Sequence, residues 1–368
     1  MRFHNTFHLP RLPFRERDLT PVQAITIIPG QVNSVALTEV PDPLPAEGSI
    51  LVRARQLGVC GTDFEIIAGH YGSTPDHSPY LILGHESLGE VEESPAESDF
   101  ARGDWVIGIV RRPDPEPCIA CAVGEWDMCR NGRYTERGIK EKHGFGAERW
   151  RIEPEYAIKV EPAFRDVAIL VEPASVLAKA WEHIEHIGKR AYWRPQSLLV
   201  TGAGPIGLLA ALMGRQRGLA VHVLDQVTDG PKPRLVEALG AKYYTGSIQQ
   251  SRLRPDVVIE CTGAASVMRD SLIALANDGI CCMVGSSAHL QDTLLNVSQL
   301  NRGMVLGNTV AFGVVNANRR HYEQAADALR RADRAWLHEL ITRREPIANW
   351  RAAFQRLPGD VKVIIDLT

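Results

Sequence analysis

The pattern of apolar and polar positions first divides the chain at about residue 110. Before it, short apolar runs are separated by Gly and Pro, and they read AITII, SILVRARQLGV, LGEVEE and DWVIGIV. Short runs broken by turn residues predict a β-rich, barrel-like region. Residues 111–150 have little periodicity and are rich in Pro, Gly, Cys and charge, which predicts an irregular lobe. Apolar residues in 173–190 recur at helical spacing.

A different pattern begins at about residue 190. Apolar strand-like runs alternate with helical stretches, and the strand-like runs are SLLVT, AVHVLD, YYTG, PDVVIECTG and GICCMVG. This alternation predicts a parallel sheet with helices on both faces. From about residue 317 the chain returns to two helices and a final strand, VKVIIDLT. We therefore predict an α/β fold with four segments, namely an N-terminal extension (1–21), a first domain (22–189), an inserted doubly wound domain (190–316) and a return to the first domain (317–368).

Composition narrows the class of protein. Hydrophobic residues make up 45% and charged residues 23%, which is typical of a globular chain and argues against disorder. A formal net charge of -3 gives no basic field, so we expect neither a nucleic-acid nor a membrane partner. The N-terminus has no apolar core of signal-peptide length, and seven cysteines are an odd number. Both features argue against a disulfide framework and favour the cytoplasm.

A glycine-rich turn follows the strand SLLVT. Gly202, Gly204 and Gly207, with Pro205 and Ile206 between them, fit G-x-G-x-x-G at the start of a helix. This strand–turn–helix context predicts a Rossmann site, where backbone N–H groups bind the pyrophosphate of a dinucleotide. The alternative is a glycine-rich turn that binds no ligand.

The strand after this turn ends at an acidic residue. Asp225 lies 23 residues after Gly202 (225 − 202), where a carboxylate accepts hydrogen bonds from the ribose 2′-hydroxyl and repels a 2′-phosphate. The following residues 226–228 contain no Arg. NAD is therefore favoured over NADP, unless Asp225 only caps a loop.

Two short motifs in the first domain carry metal-binding side chains. Cys60 lies in GVCGTD, and the adjacent His85 and Glu86 lie in LGHESLGEV. A thiolate, an imidazole and a carboxylate together make a plausible zinc set. Adjacent residues of a strand point to opposite faces, so this set needs a turn, which Gly84 makes feasible. Taken singly, a Cys or a His is more often a core residue.

Together these motifs resemble the zinc-containing medium-chain dehydrogenase/reductase family, and within it the archaeal glucose dehydrogenases and their bacterial relatives. The resemblance runs from about residue 22 to the C-terminus through GVCGTD, LGHESLGEV, GDWVIG, the cysteine-rich lobe, GFGAE, LVEPASVLAKA, TGAGPIG and GVVN. It implies a GroES-like catalytic domain beside the Rossmann domain. It also implies zinc-dependent transfer of hydride from a sugar C1 hydroxyl to NAD, giving a lactone, and a homodimer or homotetramer.

The resemblance also implies roles for residues at the metal centre. Cys60 and His85 match zinc ligands, Glu86 matches a carboxylate that binds zinc directly or through water, and Glu172 matches a fourth ligand. Among residues expected to act in catalysis beside Glu86, Thr62 relays the substrate proton and Asp63 orients the imidazole. Thr62 and Glu172 are also expected to contact the substrate.

Further positions are transferred from the same family. Glu136 and Asn316 match residues that contact the sugar or lie near the nicotinamide, and Asp114 corresponds to a sugar-contacting Asn. Thr262, after the strand PDVVIE, is assigned with Asn316 to the cofactor site. An ordinary polar surface residue is the alternative for Asp114.

A second zinc site has an incomplete set of cysteines. The family uses C-x2-C-x2-C-x7-C, and Cys118, Cys121 and Cys129 keep the last three places, while Pro115 stands at the first. Asp114 or Glu116 could offer an oxygen, although structural zinc normally has four ligands that are mostly thiolate and imidazole. The hypothesis is a bound structural zinc, and the alternative is a loop held by packing.

Other functions remain open from the sequence. A zinc dehydrogenase of another polyol, amino alcohol or cyclitol would have the same metal and NAD sites. A zinc-free quinone-reductase-like protein or a non-catalytic NAD-binding regulator would lack the set of Cys, His and Glu.

Overall fold

The computed structural model of the chain describes residues 21–286 and 293–367. The predicted N-terminal extension lies outside the described residues except for its last position. Within the described part, no helix combines the length and apolar character needed to cross a membrane.

The first region consists mainly of short strands. Its strands are β1 (Val22–Ile27), β2 (Ala36–Val40), β3 (Ile50–Val59), β4 (Leu81–Ile82), β5 (Glu86–Glu93), β6 (Trp105–Gly108), β7 (Arg111–Arg112), β8 (Thr135–Arg137), β9 (Glu141–Lys142), β10 (Arg149–Ile152) and β11 (Ala157–Val160). Helix α1 (Gly61–Ile67) follows β3, and the long helix α2 (Val171–Gly188) closes the region. The helix predicted over 173–190 is therefore present, two residues earlier at each end.

The last described part of the chain forms α8 (Arg319–Arg330), α9 (Arg334–Leu340), β18 (Ile341–Pro346), α10 (Trp350–Ala353) and β19 (Lys362–Asp366). Its two strands belong to the largest sheet of the first region. The strand order of that sheet is β11-β6-β5-β3-β19-β18, with β10 also paired to β3. The return of the chain to the first region is thus a direct strand pairing.

Strand β18 was not predicted, because its sequence ITRREP looks like a polar loop. It lies at the edge of the sheet, where charged residues and Pro are tolerated. Arg343 is held there by Asp360, at 2.8 Å between Nη2 and Oδ2. The sequence pattern of the strand does not reveal this ion pair.

The second region is built on a six-stranded parallel sheet. Its strands are β12 (Ser197–Thr201), β13 (Ala220–Leu224), β14 (Lys242–Tyr244), β15 (Val257–Glu260), β16 (Ile280–Met283) and β17 (Val310–Gly313). They lie in the order β14-β13-β12-β15-β16-β17. Its helices are α3 (Pro205–Gln216), α4 (Pro231–Ala238), α5 (Ile248–Ser251), α6 (Ala265–Ala274) and α7 (Val297–Gly307). The predicted doubly wound parallel sheet is confirmed, with β17 as a sixth strand that the pattern did not indicate.

The strand order reverses between β12 and β15, and ligands of doubly wound sheets bind at this switch point. Leu198, Leu199 and Val200 of β12 are fully buried, as a central strand covered on both faces requires. The division into domains at residues 190 and 317 stays a prediction, consistent with α2 ending at Gly188 and α8 beginning at Arg319.

Candidate functional site

Strand register brings three distant segments to one point. In the antiparallel pairing of β3 with β5, Gly58 lies opposite Glu86. In the pairing of β19 with β3, Val363 lies opposite Val59. The end of β3, the start of β5 and the start of β19 therefore meet.

The turn before β5 depends on glycine. Gly84 has φ +91°, a conformation that costs little only without a side chain, and a Cβ there would overlap Leu57. This turn brings His85 and Glu86 to the same site although they are adjacent in sequence. The turn predicted at this position is present.

Cys60, His85 and Glu86 form one cluster in which the ligand atoms all lie within 4.8 Å of one another. His85 and Glu86 are buried, and Cys60 is partly exposed. Sulfur, imidazole nitrogen and carboxylate oxygen are the donors that zinc takes in proteins. The donor set therefore fits a zinc ion.

Asp63 supports this cluster from the first turn of α1. Its Oδ2 accepts a hydrogen bond from the backbone N–H of Cys60 at 2.8 Å. Its Oδ1 lies 3.5 Å from Nδ1 of His85, and both groups are buried. A carboxylate at Nδ1 fixes the ring and leaves Nε2 free for a metal.

Glu172 lies in the first turn of α2 and is buried. It does not belong to the three-residue cluster within 4.8 Å, but it shares the electrostatic environment of that cluster. Burial raises the pKa of Glu172 to about 7, and Glu86 adds to the rise while His85 opposes it. A cation bound nearby would stabilise the ionised carboxylate.

Lys362 at the start of β19 is a site residue that sequence reasoning missed. Its ammonium forms a buried ion pair with Oε2 of Glu86 and donates to the carbonyl of Val59 at 3.0 Å. Burial lowers the pKa of Lys362, but Glu86 and Cys60 outweigh it and hold the pKa above its usual value. The available signal was a lysine inside the apolar run VKVII, because a buried lysine needs a charged partner.

The glycine turn after β12 has the geometry that dinucleotide binding requires. Gly202 has φ +87°, and a Cβ on Gly207 would overlap the carbonyl of Gly202, so helix and strand pack closely. A Cβ on Gly204 would meet no atom within 4 Å, which leaves room for a ligand against the backbone. Helix α3 starts at Pro205 without a side-chain cap, so its first N–H groups are available to phosphates.

Asp225 lies just after β13 and is anchored to this turn. It accepts hydrogen bonds from the N–H groups of Ala203 at 2.6 Å and Val227 at 2.9 Å. Lys232 Nζ lies 3.2 Å from Oδ2 of Asp225. Lys232 was not predicted at this site, because it follows Asp225 by seven residues (232 − 225) and reaches it from α4.

Thr262 lies at the end of β15, beside the switch point. Its N–H donates to Oε1 of the buried Glu260 at 2.7 Å, and its hydroxyl bonds the same oxygen. Thr201 of β12 also donates to Glu260, at 3.1 Å. Glu260 therefore holds the ends of the two central strands together.

The predicted sugar contacts Glu136 and Asn316 meet although 180 residues separate them. Asn316 Nδ2 donates to Oε1 of Glu136 at 2.8 Å, and Asn316 has φ +60°. Arg111 donates to the same oxygen through Nε at 3.1 Å and Nη2 at 2.9 Å. All three donors use Oε1 of Glu136.

The cysteine-rich lobe contains a second cluster. Sulfur atoms of Cys118, Cys121 and Cys129 lie within 4.8 Å of one another. Cys118 Sγ accepts N–H groups of Arg130 at 3.3 Å and Cys121 at 3.5 Å. The N–H of Arg130 is the main reason that the pKa of Cys118 is lowered, so a thiolate is favoured.

Asp114 lies in the same lobe. Its carboxylate accepts hydrogen bonds from Asn131 Nδ2 at 2.7 Å and from the N–H of Glu116 at 2.9 Å. Arg133 lies 3.4 Å from it. The carboxylate is thus already engaged within the lobe, and neither a sugar contact nor a zinc bond of Asp114 follows from these contacts.

Comparison with known proteins gives consistent matches over nearly the whole chain. The alcohol dehydrogenase GroES-like domain matches residues 46–162, and the glucose dehydrogenase C-terminus matches residues 165–367. A glucose 1-dehydrogenase of Methanocella arvoryzae is 38% identical over 94% of this chain and 99% of its own length. One of Thermoproteus tenax is 37% identical with the same coverage.

A solved structure is also similar. It is Haloferax mediterranei glucose dehydrogenase in complex with NADP, Zn and gluconolactone. The TM-score is 0.87 at 29% identity, covering 94% of this chain and 99% of that one. The GroES-like part of the predicted fold is confirmed by these matches.

Proposed function

The chain belongs to the zinc-dependent medium-chain dehydrogenase/reductase family, in its archaeal-type glucose dehydrogenase branch, and we propose that it oxidises the C1 hydroxyl of a glucose-like aldose with NAD, giving the lactone. The observation that carries this proposal is the convergence of Cys60, His85 and Glu86 within 4.8 Å. A zinc-free reductase or a non-catalytic regulator would lack this set of Cys, His and Glu. Relatives named as glucose 1-dehydrogenases support the choice of sugar.

The residues of the cluster have distinct proposed roles. Cys60, His85, Glu86 and Glu172 would hold a zinc ion, and the chemistry it would supply when bound is Lewis-acid polarisation of the sugar hydroxyl, which would lower the hydroxyl pKa. Asp63 orients His85 through the contact with Nδ1. Thr62 follows Gly61 at the start of α1 and is partly exposed, so we assign it the transfer of the released proton toward solvent.

Glu136 and Asn316 are proposed to bind sugar hydroxyls. Arg111 and Asn316 occupy Oε1 of Glu136, so Oε2 is the oxygen we assign to the sugar. A charged acceptor of this kind discriminates strongly for a substrate hydroxyl. A sugar contact by Asp114 stays a prediction.

NAD is the proposed oxidant over NADP. Asp225 is the residue we assign to the ribose 2′-hydroxyl, and its position, fixed by the N–H groups of Ala203 and Val227, supports this assignment. Lys232 partly neutralises this carboxylate, so we expect a preference for NAD rather than full exclusion of NADP. Asp225→Ser should shift the ratio of kcat/KM values toward NADP by about tenfold or more, the effect of one strong polar contact. An unchanged ratio would remove Asp225 from cofactor selection.

A second zinc and an oligomer complete the proposal. Cys118, Cys121 and Cys129 would offer three of the four ligands that structural zinc normally has. A homodimer or homotetramer is supported by β17 at the edge of the parallel sheet and by the exposed Leu306 on α7.

All seven cysteines are unpaired, which supports a cytoplasmic location.

A substrate panel tests the proposed function. Purified protein is assayed with glucose, other aldoses, polyols, amino alcohols and cyclitols, with NAD and NADP in parallel. The proposal expects the highest kcat/KM for an aldose with NAD and a lactone as product. A higher kcat/KM for a polyol, an amino alcohol or a cyclitol would instead establish the alternative substrate class.

A further inference from the structure

The buried Asp127 in the cysteine-rich lobe accepts hydrogen bonds from two cationic side chains, Lys179 and Arg111. Lys179 Nζ on α2 lies 2.8 Å from Oδ2 of Asp127 and donates to its backbone carbonyl at 3.2 Å. Arg111 Nη1 donates to the same carbonyl at 3.1 Å. The other carboxylate oxygen of Asp127 accepts from Asn318 at 2.9 Å. Asp127 and Lys179 are both almost fully buried, so these contacts are shielded from water.

Each of the two cations also holds one half of the proposed sugar-binding pair. Arg111 binds Oε1 of Glu136 through Nε and Nη2. Lys179 Nζ donates to the carbonyl of Val315 at 3.1 Å, one residue before Asn316. Asp127 therefore lies where the supports of Glu136 and of Asn316 meet.

Asn316 lies on a connection outside the regular elements. It lies between β17 and α8, has φ +60°, and follows Val315, whose side chain is largely exposed. Asn adopts this left-handed conformation more readily than other non-glycine residues, but no helix or strand fixes the backbone at this point. Lys179 supplies one contact that does, a hydrogen bond to the carbonyl of the residue just before Asn316.

We propose that Asp127, Lys179 and Arg111 are positioning residues for substrate, which set the distance and orientation of Glu136 and Asn316 toward a bound sugar. The inference rests on the proposed function, because it assigns a task to the polar side of the sugar site. None of the three residues touches the sugar or the metal in this account. Their effect is on substrate binding, transmitted through Glu136 and Asn316.

Arg320 is a matched control, because it also joins the cysteine-rich lobe to α2. Arg320 on α8 also clamps the lobe to α2, through Glu125 at 2.9 Å and Glu182 at 2.9 Å. Within the described residues, the guanidinium of Arg320 donates hydrogen bonds to Glu125 and Glu182 and to none of Arg111, Val315 and Glu136. Loss of Arg320 therefore loosens the attachment of the lobe without removing a support of the sugar-binding pair.

The experiment compares Lys179→Met with Arg320→Met in the full-length protein. Circular dichroism and thermal melting check folding, steady-state kinetics give KM and kcat for the preferred aldose, and fluorescence titration gives the Kd of NADH. Lys179→Met should raise the sugar KM about tenfold, as expected for a lost hydrogen bond to a charged group, with kcat and the NADH Kd nearly unchanged. Arg320→Met should leave the sugar KM unchanged, and Lys179→Arg should recover part of the loss.

Two results would overturn the inference. One is an unchanged sugar KM in folded Lys179→Met. The other is an equal rise of the sugar KM in Arg320→Met, which would mean that Lys179, like Arg320, only attaches the lobe to α2. If Lys179→Met does not fold, Asp127→Asn decides, since it keeps the volume and the backbone carbonyl. A raised KM in that variant supports positioning, and an unchanged KM contradicts it.

A second measurement separates this inference from the proposed function. Amide hydrogen exchange of residues 314–318 needs no substrate. Exchange should accelerate there in Lys179→Met and stay unchanged in Arg320→Met. If the wild-type protein oxidises no aldose, the proposed function fails, whereas the exchange result still decides whether Lys179 holds the segment of Asn316.

Discussion

The two cysteine-containing clusters of the molecule differ in where their side chains come from. Cys60, His85 and Glu86 come from the end of one strand and the start of another, and Lys362 joins them from the C-terminal strand. The second cluster comes from a single stretch of twelve residues, 118–129. The first cluster therefore forms only when distant parts of the chain pack together, whereas the second forms within one loop.

The two clusters also differ in their surroundings. The first has mixed donors, a carboxylate against the imidazole and a buried lysine against Glu86. The second has three cysteines, of which Cys118 accepts hydrogen bonds from two backbone N–H groups, and Pro115 stands at the family's first ligand position. Mixed donors with an exchangeable position suit catalysis, whereas sulfur-rich sets suit a structural role. We therefore expect mutations of the first cluster to reduce activity and mutations of the second cluster to reduce thermal stability.

The largest expected effect is on activity. Cys60→Ala removes a ligand of the proposed catalytic zinc, and we expect kcat/KM to fall by about 10³-fold, since the metal contributes several kcal/mol of charge stabilisation. Steady-state kinetics on the folded variant measures this. Cys129→Ala in the other cluster is the control, and equal losses in the two variants would abolish the functional distinction.

The next effect is on metal affinity at the first cluster. Asp63→Asn keeps the shape of the side chain but weakens its hold on His85 Nδ1. We expect zinc affinity to fall by about 10- to 100-fold, the usual cost of losing such a support. Competition with a zinc indicator gives the affinity, and no change would mean that Asp63 only caps α1.

A smaller effect is a pH dependence of zinc affinity at the first cluster. Because burial raises the pKa of Glu172 to about 7, the carboxyl is protonated below that pH and ionised above it. A proton competes with zinc, so affinity at the first cluster should fall as pH drops below 7, by up to about tenfold per unit from this group. Indicator titrations of wild type and Glu172→Gln test this, and identical pH slopes would contradict a role for Glu172.

The smallest effect concerns the second cluster. We expect a mild chelator to remove its zinc first, because three protein ligands bind less firmly than four. Activity should change by less than about tenfold, as for a site remote from the chemistry, while the melting temperature falls. Metal analysis during dialysis follows the loss. Release of all zinc together with all activity would mean that the two clusters are not independent.

The same comparison shows what the sequence could and could not predict. Cys60, His85, Gly202 and Asp225 lie in motifs whose chemistry depends on nearby residues, so they could be identified from the sequence. Lys362 could not, because its hydrogen-bond acceptor Val59 lies 303 residues away. Lys179 and Val315 are likewise 136 residues apart.

Local patterns also limited the prediction of strands and of single polar residues. Strand β18 was missed because Arg343 and Arg344 interrupt its apolar pattern. Arg343 pairs with Asp360, and Arg344 lies 3.5 Å from Asp366, so both charges have partners supplied by the fold. The sugar contact of Asp114 stays a prediction. The structure adds that its carboxylate accepts a hydrogen bond from Asn131, a partner that the sequence pattern does not reveal.

Anomalous diffraction at the zinc edge, on crystals of the purified protein, would show whether zinc binds at the first cluster. We expect a zinc peak about 2.3 Å from Cys60 Sγ and about 2.0–2.1 Å from a ring nitrogen of His85, with a carboxylate as a further ligand. Crystals of active, unchelated enzyme without zinc between Cys60 and His85 would exclude a catalytic zinc at this site.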